Sequence, residues 1–73
     1  MMLTITGNTM VLHNDGLPLA DATLRPDGLW DVSSWPVPLG RDQAITALTI
    51  TELLTSGYPP NHPLIVTFRN ELA

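Results

Sequence analysis

Apolar and polar residues alternate in short runs along the first half of the chain, and turn-forming residues separate these runs. The separating stretches are Gly7-Asn8, Asn14-Asp15-Gly16 and Pro26-Asp27-Gly28. Asn-Gly and Asp-Gly pairs supply the positive φ that tight hairpin turns require. The β-compatible segments between the turns are residues 3–6, 9–13, 17–25 and 29–35. This pattern predicts an antiparallel meander of three or four strands.

Four residues add detail to the predicted strands. Pro18 has no N–H for a ladder bond, so the third strand is expected to begin near it or to lie at an edge. Trp30 and Val32 share one face of the fourth segment, and we expect that face to point into the core. Trp35 points to the opposite face, so it is predicted either to pack beneath the following proline-rich loop or to join a partner surface.

The pattern changes to a helical one over residues 41–56. Gly40 is a tolerable N-cap, and Gln43 stands three residues later, where a capping residue is favoured. Gly57 can take the left-handed conformation after the last turn, and Pro59 cannot continue a helix. These signals predict one central helix with clear ends.

The apolar face of this predicted helix is unusually wide. At 100° per residue its apolar positions cover about 220°, compared with about 100° for an ordinary surface helix. The helix is also rich in β-branched residues, which favours formation through packing rather than through intrinsic propensity. We therefore expect the sheet to cover one side, and either residues 64–72 or another chain to cover the other.

The last segment, residues 64–72, fits a helix better than a strand. Asn61 can cap such a helix, and Pro63 suits its first turn. The residue types Ile-Val-Thr-Phe are good strand formers, so a strand remains the alternative. The apolar stripe that favours the helix consists of Leu64, Ile65, Phe68 and Leu72. The predicted fold class is therefore α+β: a small antiparallel meander, one central α-helix and a short C-terminal helix, in one domain spanning residues 1–73.

Composition limits how such a small domain can be stabilised. Hydrophobic residues make up 44% of the chain and charged residues 14%, against roughly 25% charged in typical soluble domains. There is no cysteine, which excludes disulfides and thiolate metal sites, so oligomerisation is the remaining common supplement. The lack of cysteine and of a signal-peptide pattern favours a cytoplasmic protein. Hydrophobic runs of at most three residues predict no membrane partner.

Candidate chemistry is sparse. His13 stands two residues from Asp15, but that aspartate is explained by its turn, and His62 is 49 positions away from His13. There is no glycine-rich phosphate loop and no nucleophile motif. We therefore predict no enzymatic activity, no cofactor and no metal. A net charge of −4 with only three basic residues argues against a nucleic-acid partner, although a small DNA-binding regulator, suggested by two consecutive helices, is the alternative function.

Three stretches of the chain carry a resemblance to known sequences. They are Arg41-Asp42-Gln43-Ala44-Ile45-Thr46-Ala47-Leu48, the upstream Arg25-Pro26-Asp27-Gly28 and the downstream Arg69-Asn70-Glu71-Leu72. Together they resemble short uncharacterised proteins of actinobacteria and their phages, in which a PDG-W-V strand leads to an RNQAITAL helix. Asp42 here stands where asparagine is common in that group. The resemblance covers about residues 25–72, implies a bacterial or phage setting and implies no activity.

The function predicted from the sequence is a non-enzymatic protein-interaction module that self-associates as a homodimer, with a host or phage protein as a further partner. Its proposed interface combines the wide helix face with large aromatic side chains, which are enriched at binding hot spots. The candidate interface residues are Trp35, Ala44, Ala47, Leu48, Leu54 and Tyr58.

Overall fold

The computed structural model describes residues 2–72 and contains a four-stranded antiparallel sheet followed by two α-helices. The strands are β1 (Met2–Thr6), β2 (Thr9–Asn14), β3 (Leu17–Leu24) and β4 (Trp30–Val32). The helices are α1 (Arg41–Thr55) and α2 (Pro63–Leu72). Each strand pairs with the next, in the order β1-β2-β3-β4. The predicted α+β class, with its meander, central helix and C-terminal helix, is confirmed.

The first two hairpins have the tight two-residue turns that the sequence indicated. Gly7 has a φ of +53°, as the first central position of a type II′ turn requires. In the next turn Asp15 and Gly16 both have positive φ, which is the pattern of a type I′ turn. Asp15 is thus held in its unusual conformation by the turn.

The pairing of β2 with β3 contains a β-bulge. The register shifts after Leu12, so that Leu12 lies opposite Ala20 whereas His13 lies opposite Pro18. Leu19 is therefore an extra residue in β3, and Pro18 lies beside this bulge, where a missing N–H is tolerated.

The fourth strand is shorter than the sequence predicted, because β4 covers Trp30–Val32 rather than residues 29–35. The chain turns away after β4, and the N–H of Trp35 donates to the carbonyl of Val32 at 3.1 Å.

One face of the sheet packs against α1, which lies over β3 and β4. Trp30 and Val32 are buried on that face, which confirms the predicted core orientation of β4. The cluster formed between the sheet and α1 consists of Met10, Leu12, Ala20, Ala22, Trp30, Val32, Leu39, Ala44, Ala47 and Leu48. The shortest extent of the molecule is 16 Å, which fits one sheet and one layer of helices.

Both ends of α1 are formed as predicted. The side-chain Oε1 of Gln43 accepts a hydrogen bond from the N–H of Gly40 at 3.1 Å. Gly57 has a φ of +97°, and its N–H donates to the carbonyl of Leu54 at 3.2 Å. The N–H of Tyr58 reaches the carbonyl of Leu53 at 3.1 Å, which completes a Schellman motif.

The threonines of α1 bond back to the helix itself. Each hydroxyl donates to the carbonyl oxygen four residues earlier, at 2.9–3.2 Å. Such bonds satisfy the hydroxyl groups but slightly weaken a helix. The residues are Thr46, Thr49, Thr51 and Thr55. This helix therefore relies on the packing of its apolar residues.

The second side of α1 is covered by α2. The two helices pack against each other. Ile50 of α1 and Ile65 of α2 are buried, and both lie outside the cluster that faces the sheet. Of the two coverings that the sequence left open, the C-terminal segment is the one observed, and its helical conformation is confirmed.

Candidate interaction surface

Half of the predicted interface lies inside the protein. Ala44, Ala47 and Leu48 have exposed fractions of 0–1% and belong to the cluster between the sheet and α1. A partner that binds the folded chain cannot reach these three side chains. Their assignment to an intermolecular surface is wrong, because the sheet and α2 together cover the wide face of the helix.

The other three predicted interface residues are more accessible but do not form one surface with those alanines. Trp35 is half-buried and packs against the core cluster, which agrees with its alternative role beneath the proline-rich loop. Leu54 is half-buried on α1. Tyr58 is exposed, and its ring lies 4.9 Å from the ring of His62.

The two histidines lie in separate places with separate neighbours. His13 and Asp15 line a shallow, open depression beside the β2–β3 turn. His62 lies just before α2, where its Nδ1 accepts a hydrogen bond from the N–H of Leu64 at 3.2 Å. Within residues 2–72, no group of three or more histidine, aspartate or glutamate side chains could hold a metal ion.

A charged cluster stabilises the connection between β3 and β4. The guanidinium of Arg25 contacts the carboxylates of Asp27 and Asp31, each at 3.2 Å. The N–H of Leu29 donates to Asp27 at 3.0 Å. This backbone bond is the main reason that the pKa of Asp27 is lowered, and the Arg25 side chain contributes to the same shift. The pKa of Arg25 is raised, chiefly through its hydrogen bond to Asp27.

The two edges of the sheet differ in how they are protected. β4 has only three residues, and Leu39 pairs with its outer side. The N–H of Trp30 donates to the carbonyl of Leu39 at 2.7 Å, and the N–H of Leu39 donates to Trp30 at 3.0 Å. Among residues 2–72, no segment pairs with the outer side of β1.

The open edge of β1 also lacks the usual protective residues. Its sequence, Met2-Leu3-Thr4-Ile5-Thr6, contains no charged residue and no proline. Natural proteins commonly protect edge strands with lysine, proline, bulges or a covering segment, because an unprotected edge can pair with another chain. β1 is therefore the strand edge best suited to intermolecular pairing.

The ladder pattern identifies the backbone groups that face this edge. The N–H of Leu24 donates to the carbonyl of Asn8 at 2.8 Å, and alternate residues of an antiparallel strand bond to opposite neighbours. The β2 residues whose backbone groups face β1 are consequently Thr9, Val11 and His13. Their register partners on β1 are Thr6, Thr4 and Met2. The N–H and C=O groups of Leu3 and Ile5 therefore point away from the sheet.

β1 also carries apolar side chains that are exposed to solvent. Met2 is 65% exposed and Ile5 is 43% exposed. Ile5 lies opposite Met10, and the half-buried Leu3 lies opposite Leu12, so both share the sheet face that carries the core. The core face thus continues to the edge strand, where part of it remains in contact with solvent.

The predicted interface did not include this edge, although the sequence contains a signal for it. The first strand of a sequential meander lies at a sheet edge, and residues 2–6 carry no charge. The predicted interface lay instead on the helix face, where the apolar residues are most numerous.

Comparisons with family models, curated proteins and solved structures give no match to this chain. Neither α1 nor α2 is long and apolar enough to cross a membrane.

Proposed function

We propose that this protein is a non-enzymatic interaction module that self-associates as a homodimer through the open edge of β1. The observation that carries this proposal is the row of outward-facing backbone groups at Leu3 and Ile5, on a strand without charge or proline. The exposed apolar side chains of Met2 and Ile5 flank that row. The resemblance noted above favours a bacterial cytoplasmic or phage setting.

A second copy of the chain is the partner that this strand suits best. Two identical strands paired antiparallel about a two-fold axis place the same residue types on both sides of the interface. Like charges placed opposite each other would be destabilising, and β1 has none. Strand pairing would also remove exposed apolar area from water, which is worth about 25 cal/mol per Å².

The interface is expected to be small. Five residues of strand edge bury less area than the roughly 1,200–2,000 Å² of a stable interface. We therefore expect weak association that depends on protein concentration.

The DNA-binding alternative gains no comparable support, because Arg25, one of three basic residues, is engaged by Asp27 and Asp31.

Sedimentation velocity of the protein and two lysine variants tests this proposal. Thr4→Lys places a charge at the middle of the open edge, and two such charges would face each other in the dimer. Thr23→Lys is the matched control, because Thr23 is also exposed but lies in β3, which is paired on both sides. Circular dichroism of both variants checks that they fold.

The expected result is a sedimentation coefficient that rises with concentration between about 10 µM and about 1 mM. Thr23→Lys should behave in the same way, whereas Thr4→Lys should remain monomeric over the whole range. A native protein that stays monomeric, or equal dimerisation of the two variants, would contradict the proposal.

A further inference from the structure

We infer that the two β1 strands pair about a two-fold axis that passes beside Thr4, giving one continuous eight-stranded antiparallel sheet. This inference rests on the proposed dimer and adds its register. The two-fold axis is perpendicular to the sheet, so the helices of both copies lie on the same side of it.

The direction of the backbone groups restricts the possible registers. Within the described strand Met2–Thr6, only Leu3 and Ile5 present N–H and C=O groups to the open edge, so these residues must occupy the hydrogen-bonded positions of the new ladder. An axis beside Thr4 places Leu3 opposite the partner's Ile5 and Ile5 opposite the partner's Leu3. Both residues of each copy then exchange both of their backbone hydrogen bonds.

A two-fold axis beside Ile5 or beside Leu3 would pair fewer residues of β1 with β1 of the other copy. An axis beside Ile5 places Leu3 opposite the partner's Gly7, which is a turn residue with a positive φ. An axis beside Leu3 pairs only Met2, Leu3 and Thr4 with β1 of the other copy and leaves Ile5 and Thr6 outside that pairing. The Thr4 register alone pairs all five residues of β1 with all five of the second copy.

The side chains are also compatible with this register. Leu3 and Ile5 lie on the face of the sheet that carries the core, so the dimer joins four apolar side chains on that face. Ile5, which is partly exposed in one chain, gains an apolar neighbour directly opposite. Thr4 faces the partner's Thr4 on the opposite face, where cross-strand threonine pairs are favourable.

A single introduced cysteine reports this register, because the chain has no cysteine of its own. Residues directly opposite each other at a non-hydrogen-bonded position have Cα atoms about 4.5 Å apart. This distance is within the range of about 4.4–6.8 Å that a disulfide spans. Thr4 is the one position of β1 that faces itself in the predicted dimer.

The experiment compares disulfide formation by Thr4→Cys and Thr6→Cys in a glutathione redox buffer, at a concentration where the native protein dimerises. Thr6→Cys is a matched control on the same strand and the same face. In the Thr4 register its thiol lies four residues along the strand from the other copy's thiol, or roughly 14 Å. Non-reducing electrophoresis and mass spectrometry measure the covalent dimer.

We expect Thr4→Cys to give at least about ten times more disulfide dimer than Thr6→Cys, because a disulfide requires close Cα atoms. Equal amounts from the two variants would indicate random collision and would overturn the register. When the variants are mixed, a predominant disulfide between position 4 of one and position 6 of the other would place the axis beside Ile5 and would also overturn it.

Together, the lysine and cysteine experiments distinguish a wrong register from a wrong proposal of the dimer itself. If Thr4→Lys abolishes a dimer that Thr4→Cys does not cross-link, the dimer through β1 stands and the register is wrong. If the native protein is monomeric throughout, the proposed function and the register are both wrong.

Discussion

Asp27 illustrates how a carboxylate in this chain supports the backbone. It accepts the N–H of Leu29 at 3.0 Å and pairs with Arg25, and both interactions favour its ionised form. Asp15 similarly occupies a positive-φ turn position, and His62 accepts a hydrogen bond from the backbone at the start of α2. Each of these three side chains therefore has a structural role in a turn or at the start of a helix.

The lowered pKa of Asp27 gives a prediction about pH. A carboxylate whose pKa is lower in the folded state than in the unfolded state stabilises the fold above its unfolded value, near 3.9. That contribution is lost as the pH falls through the folded pKa. NMR titration of the side-chain carboxyl carbon should therefore place the pKa of Asp27 below the usual aspartate value.

Arg25→Gln tests the order of the two causes. The variant removes the ion pair but keeps the N–H of Leu29, which is the larger cause of the shift. The pKa of Asp27 should rise in the variant yet remain below the usual value. A complete return to the usual value would show that the arginine, rather than the backbone bond, controls the ionisation.

At the scale of elements, α2 has a direct energetic role because it covers α1. Ile65 is fully buried, whereas the next residue, Val66, is exposed. Ile65→Ala should lower the free energy of unfolding by about 2–5 kcal/mol, since it removes a buried side chain and leaves a cavity. Val66→Ala should change it by less than about 0.5 kcal/mol, as for most surface substitutions.

Urea unfolding followed by circular dichroism measures both variants. Similar losses for the two would contradict the docking of α2 through Ile65. If Ile65→Ala unfolds completely, the more conservative Ile65→Val should still show a measurable loss, of about 0.5–1.5 kcal/mol.

Local signals predicted the elements well because each is formed by neighbouring residues. Gly57 ends α1 with the expected left-handed turn, and the first two hairpin turns occur where the turn residues indicated. The length of β4 was not predictable in this way. It ends at Val32 because the chain turns there, with Trp35 bonded back to the strand, and no local pattern requires that turn.

What covers an apolar face is a tertiary property, and this is where the sequence prediction failed. A helical wheel shows that Ala44, Ala47 and Leu48 share a face, but it does not distinguish a sheet or a second helix from another chain. The open edge of β1 likewise depends on the order of the strands. Both features require knowledge of how the elements are arranged in space.

At the scale of the whole molecule, the two edges of the sheet differ, because only the β1 edge is open to pairing with another chain among the described residues. Leu39 closes the β4 edge, so pairing at β1 uses the remaining edge of each copy. A dimer formed there has a closed edge at both outer ends. The proposed assembly would therefore stop at two chains and would not extend into a fibre.

The net charge of the molecule predicts how salt would affect the proposed dimer. Each chain carries a formal charge of −4, so two copies repel each other at long range, while the uncharged β1 strands contribute no ion pair that salt could weaken. The Debye length falls from about 30 Å at 0.01 M salt to about 8 Å at 0.15 M. Raising NaCl over this range should therefore strengthen the dimer.

Sedimentation equilibrium at both salt concentrations measures this effect as a lower Kd at 0.15 M. Thr23→Lys is a useful second sample, because it reduces the negative charge of each chain without altering β1. Its Kd should depend less on salt than that of the native protein, since less repulsion remains to be screened. A dimer that weakens as salt rises would instead require attractive charge pairs across the interface, and these cannot come from β1.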